Sequence, residues 1–119
     1  MIERIFAQEK IEYKKIDEEN GTKLYKINSK CYLLYLKEKG NQFALNRDFF
    51  EYLDSNSLPY KILLHDVQKD KFYYLELRKT NNWIKSCFNT CNKDKIYLGK
   101  QVLNYPIDVT NLRLKLKKI

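Results

Sequence analysis

Few side chains in this 119-residue chain can do chemistry, and its carboxylates beside basic residues come first. Asp66 lies near the end of one apolar, aromatic run, and Glu76, Arg78 and Lys79 lie on or just after the next. A turn around residue 70 is expected to set Asp66 opposite roughly residue 74, diagonal to Glu76. Two carboxylates that close can hold Mg²⁺ through oxygen, and a cation beside them helps activate water for phosphodiester cleavage. Catalysis, if any, therefore falls to Asp66 and Glu76 as metal ligands, with Glu51 as a third acidic group. The plain alternative is a Glu76–Arg78 pair on a solvated face.

Cys31, His65, Cys87 and Cys91 have the composition of a Zn²⁺ shell. Cys87 and Cys91 share a helical stripe with Trp83, Ile84 and Phe88, however, and no C-x-x-C pair occurs. A free thiol packs as a small hydrophobe, so these cysteines read as structural, with no zinc. One His and no nucleophile elbow argue against Cys–His catalysis. Three isolated Gly cannot form a phosphate loop, so a nucleotide cofactor is not expected.

The aromatics Tyr32, Tyr35, Phe72, Tyr73 and Tyr74 fall on strand-like segments among lysines. Exposed, they would form a stacking platform for single-stranded nucleic acid; buried, they are strand formers in a core. Arg78, Lys79, Lys85, Lys93, Lys95 and Lys100 are candidate phosphate contacts, and Arg113, Lys115 and Lys117 extend the set into the tail.

Asp66, then Glu76-Leu77-Arg78-Lys79, with Glu51 on the preceding helix, resembles a degenerate PD-(D/E)xK nuclease core over about residues 46–104. The resemblance implies an acidic residue on a helix, an Asp on one strand and a Glu-x-Lys on the next, then helix and strand. Arg78 stands in the place of the family's Lys and stays protonated. What the resemblance implies is a weakened or lost Mg²⁺-dependent nuclease kept as a binding scaffold.

These residues need elements to position them. Residues 2–15 place Ile2, Ile5, Phe6 and Tyr13 near one helical face, and Asn20-Gly21 is a turn signal. Residues 22–28 and 31–37 read as a hairpin, and 42–45 as a short third strand. Asn46 is expected to cap a helix over about 47–56 with its side chain, burying Phe49, Phe50 and Leu53. Residues 60–67 and 71–78 form the clearest hairpin, a second helix covers about 83–92, and 95–104 give another strand or pair. The tail Leu112-Arg113-Leu114-Lys115-Leu116-Lys117 alternates as a one-faced strand would. The fold class is α+β, a mostly antiparallel sheet of five to six strands with two or three helices in a single domain, 1–119.

The formal net charge is +8, with 19 Lys and four Arg. Residues 1–20 hold four basic and six acidic side chains, so they read as an acidic helix or arm; residues 21–119 hold 19 and nine, a basic body. That balance favours a polyanion, and the scarcity of Arg argues for backbone contacts over base reading. The leading expectation is a small, non-catalytic module bound to the DNA or RNA backbone. The rival is an inhibitor or adaptor docking an acidic protein, with the nuclease as a third reading. No apolar run reaches the roughly 20 residues of a membrane span, and an odd number of Cys without an export signal points to a reducing cytoplasm.

Overall fold

The strongest local signal for pairing is Asn20-Gly21, because two consecutive residues with positive φ match the twist of a hairpin. In the computed structural model both residues have positive φ, 51° and 85°. They join β1 (Tyr13–Glu19) to β2 (Thr22–Ile27), with Glu19 opposite Thr22. The expected helix over 2–15 is therefore a shorter α1 (Ile2–Gln8) followed by this strand, and the acidic amino-terminal segment is an edge of the sheet. The structure describes residues 2–76, 78–91, 94–99 and 105–119, with the side chains of 76, 78–82 and 91 outside the description.

β2 turns through Asn28 and Ser29 into β3 (Cys31–Lys37). The chain then leaves the sheet through β4 (Gln42–Asn46) and α2 (Arg47–Ser55) and returns as β5 (Tyr60–Asp66), parallel to β3. β6 (Lys71–Glu76) completes a five-stranded sheet in the order β1-β2-β3-β5-β6, with every pair antiparallel except β3–β5. α3 (Arg78–Cys91) leads to β7 (Lys95–Gly99), which pairs with β4 as a second, two-stranded sheet. Among the described residues the fold is α+β in a single domain, with four helices and seven strands.

The tail is α4 (Val109–Lys117) and not the expected strand. Asp108 caps it by accepting from the Asn111 N–H at 2.9 Å, and Lys115 and Lys117 sit in the last turn, where the helix dipole favours cations. Helical spacing buries Leu112 and Leu116 and leaves Leu114 exposed, whereas a strand would put all three on one face.

Both faces of the main sheet are covered. α2, α3 and the small sheet pack Phe49, Phe50, Leu53, Ile84 and Phe88 onto Leu34, Leu36, Ile62, Leu64 and Leu75. α1 and α4 pack Ile2, Phe6, Leu112 and Leu116 onto Leu33, Leu63 and Phe72. Double coverage explains the near-continuous burial of β3 and β5, which is the usual character of parallel neighbours. Asn46 stands at the N-cap of α2 without a side-chain cap bond; the Arg47 N–H donates instead to the Asp94 carbonyl at 2.7 Å.

Candidate nucleic-acid interface

The charge of the chain is placed unevenly with respect to these elements. Residues 1–77 hold 13 basic and 13 acidic side chains, and 78–119 hold ten and two, so the whole formal charge of +8 belongs to the part built from α3, β7 and α4. The question is which of these cations face outward.

The structure divides the expected phosphate contacts into two groups. Arg113 and Lys117 lie on α4 against α1. The Arg113 guanidinium donates to Gln8 Oε1 and lies near Glu9, and the Lys117 ammonium is 2.8 Å from Glu9 Oε2. Lys85 pairs with Asp54 at 3.5 Å, joining α3 to α2. These cations are in part engaged by the fold's own carboxylates. Lys115 is placed differently. Its ammonium lies 5.7 Å from the centroid of the Tyr74 ring, and Lys61 lies 5.5 Å from the same centroid. Tyr74 points from β6 toward α4, half-buried against the smaller core. Two ammonium groups are thus gathered on one aromatic ring.

That ring sits near the end of β6 from which α3 begins, since Glu76 closes β6 and Arg78 opens the helix. Arg78 and Lys79 are therefore helical and not strand residues; a helix start there ends the expected 71–78 strand at Glu76. The β2–β3 turn with exposed Lys30 and the end of α4 with Lys118 lie at the same end, where Asn28 Nδ2 donates to the Ile119 carbonyl at 3.4 Å. Lys95 is exposed on β7, on the other side of the molecule's main sheet. Lys93 and Lys100 lie outside the described residues, as do residues 100–104 of the expected strand over 95–104.

The expected stacking platform is not exposed. Tyr32, Tyr35, Phe72 and Tyr73 are buried, because helices cover both faces of the sheet. Tyr74 alone of that set reaches the surface region, and there it organises lysines.

The backbone positions of Asp66 and Glu76 do not come together. The β5–β6 turn is tighter than expected, and Asp66 stands opposite Lys71 while Glu76 stands opposite Lys61. Five residues along β6 separate the two positions, roughly 17 Å at ~3.3 Å per residue. Asp66 is buried, and its Oδ1 accepts from the Lys69 N–H at 3.3 Å inside the turn. Glu51 lies on α2, 3.8 Å from Arg47. The strand pairing thus sets the two positions expected to share Mg²⁺ far apart along β6. Among the described residues no three His, Cys, Asp or Glu side chains are grouped to hold a metal.

The zinc constellation is also dispersed. His65 pairs with Lys37, six residues beyond Cys31 on β3, so the two lie roughly 20 Å apart along the strands. Cys31 is buried with its Sγ–H directed at the Tyr32 carbonyl at 3.2 Å, and burial raises its thiol pKa. Cys87 packs against the larger core, and the Cys91 side chain lies outside the described residues.

Sequence reasoning missed His65's actual partners. The Tyr35 hydroxyl is 2.6 Å from Nδ1, and Nε2 is 3.1 Å from Asp70 Oδ1. A carboxylate only accepts, so Nε2 carries the proton it donates to Asp70, and Nδ1 exchanges the other bond with the Tyr35 hydroxyl. The ring stacks on Phe72 at 4.3 Å. Both imidazole nitrogens are engaged, which makes this a satisfied buried network. Lys61 was also missed; its signal was the alternation Lys61, Leu63, His65 along one strand face.

No protein-family model, curated protein or solved structure matches the chain. No helix among the described residues is long and apolar enough to cross a membrane.

Proposed function

We propose that the protein is a small nucleic-acid-binding module that holds the phosphodiester backbone and does not cut it. The observation that carries this reading is the Lys61–Tyr74–Lys115 cluster beside the start of α3, in a molecule whose net charge lies entirely in residues 78–119. Lys is a compact point charge that suits phosphate without reading base edges. The ring of Tyr74 holds two such charges near each other and limits the entropy lost when an anion arrives. The separation of Asp66 from Glu76 supports binding without hydrolysis. Contacts of this kind bind with little sequence preference and weaken steeply with salt.

Fluorescence anisotropy with labelled single- and double-stranded oligonucleotides across a salt series tests the reading. The expected result is binding at low salt, with an affinity that falls linearly on a log–log plot. Absence of binding to every form at low salt refutes it. Equal binding of a polyglutamate of matched charge would move the reading to an acidic protein partner.

A further inference from the structure

A cleft of about 250 Å³ opens between the β1–β2 hairpin and α2. Its floor is apolar: Leu24 and Phe49 are buried, and Ile16 packs against the same core. Tyr52, 39% exposed, forms part of its wall. Asp17 and Glu19 from β1 and Asp48 from α2 complete the lining, and neither Lys nor Arg lines it, in a chain with 23 such residues. Asp17 Oδ1 accepts from the Glu18 N–H at 2.8 Å. The register of β1 against β2 shifts between Lys15 and Asp17, a bulge that locally breaks the ladder at Ile16.

An apolar floor beneath carboxylates from two elements fits one kind of occupant. A Lys or Arg side chain buries its methylene stem on apolar surface and keeps its charge at the polar edge. The Tyr52 wall adds attraction for the cation, set against the charges of Lys14 and Lys26, which also act on Tyr52. We propose that this cleft binds one guanidinium or alkylammonium side chain, an arginine or lysine presented by a partner polypeptide. Charge complementarity selects that occupant: an acidic segment would meet three carboxylates, and a neutral apolar one would leave them partly desolvated. The site lies apart from the Tyr74 cluster and stands independently of the nucleic-acid reading.

Amide NMR of the full chain, titrated with N-acetyl-arginine amide, N-acetyl-lysine amide and the neutral N-acetyl-norleucine amide, tests the proposal. The expected result is saturable shifts confined to residues 16–24 and 48–52 with both cationic probes. The norleucine probe should bind about tenfold more weakly, because it lacks the charge-assisted hydrogen bonds. The combined Asp17→Asn, Glu19→Gln and Asp48→Asn variant should lose the response while its remaining spectrum is unchanged. Tyr52→Leu, which leaves the carboxylates in place, should weaken it severalfold. The proposal is overturned by no saturable shift, by equal response to norleucine amide, or by an undiminished response in the triple variant. Shifts of the same residues with protein concentration alone would assign the cleft to a second copy of the chain and overturn the partner reading.

Discussion

Replacing Tyr35 with Phe removes one oxygen and almost no volume, which isolates the hydrogen bond to His65. Tyr35 and His65 are 1% and 3% exposed, so water cannot readily take the hydroxyl's place. The variant leaves His65 Nδ1 buried without its hydrogen-bond partner at 2.6 Å. An orphaned buried polar group costs about 1–3 kcal/mol, and no cavity term adds to it. With a urea slope of roughly 1–3 kcal/mol per molar, the midpoint should fall by about 1 M, followed by far-UV circular dichroism. Asp70→Asn should cost less, since Asp70 is largely exposed and Asn still accepts from Nε2–H. Burial, with the Asp70 charge second, pushes the Tyr35 phenol up to about 12. Its contribution is therefore complete below the ordinary phenol pKa of about 10 and is lost as pH rises from there toward 12. Tyr25 is raised in the same direction, chiefly by burial, so Tyr35→Phe should reduce the alkaline loss without abolishing it. A destabilisation below about 0.5 kcal/mol, the range of an ordinary surface change, would refute the network.

Two further outcomes check the elements that carry the site. Leu116→Ala should cost about 2–5 kcal/mol and Leu114→Ala less than about 0.5, because α4 buries only the former; equal costs in urea denaturation would restore the strand. Tyr25, which donates to Glu3 at 2.9 Å, is the largest influence on the Glu3 carboxyl and lowers its pKa; burial opposes it, and Lys15, Lys23 and Tyr13 add to the lowering. Glu3→Gln should therefore destabilise the fold at neutral pH, and the difference should fade as pH drops through the lowered carboxyl pKa; a pH-independent difference would contradict the assignment.

What the sequence disclosed depended on whether the local signal had a competitor. The hairpin over 60–66 and 71–76 was legible because its apolar alternation is bounded by turn residues, and α2 because Phe49, Phe50 and Leu53 follow helical spacing. β1 was missed because Tyr13 also continues the apolar stripe of α1, although Asn20-Gly21 already implied a paired strand before it. α4 was misread because Leu112, Leu114 and Leu116 satisfy a period of two, while the decisive cap, Asp108, lies outside that repeat. The parallel β3–β5 pair and the second sheet follow from long-range packing that no local pattern encodes. For the site, Lys115 and Tyr74 were both legible as candidates, but their meeting with Lys61 depends on α4 lying across β6. The convergence of Asp66 and Glu76 failed on register: a turn tighter than expected moves the partner of Asp66 from about residue 74 to Lys71.

The most direct test of the binding account compares two pairs of charge deletions. Deleting one cation that neutralises a phosphate should lower the steepness of log affinity against log salt by about 0.7–0.9. Lys61→Gln with Lys115→Gln removes the cations gathered on Tyr74, and Arg113→Gln with Lys117→Gln removes two on the side of α4 that faces α1, away from that ring. Both pairs change the net charge by the same amount. The account predicts that the first pair lowers the slope by about 1.5 or more and the second by much less. Equal slopes for the two variants would show that net charge alone drives binding and would contradict the Tyr74 cluster as the interface.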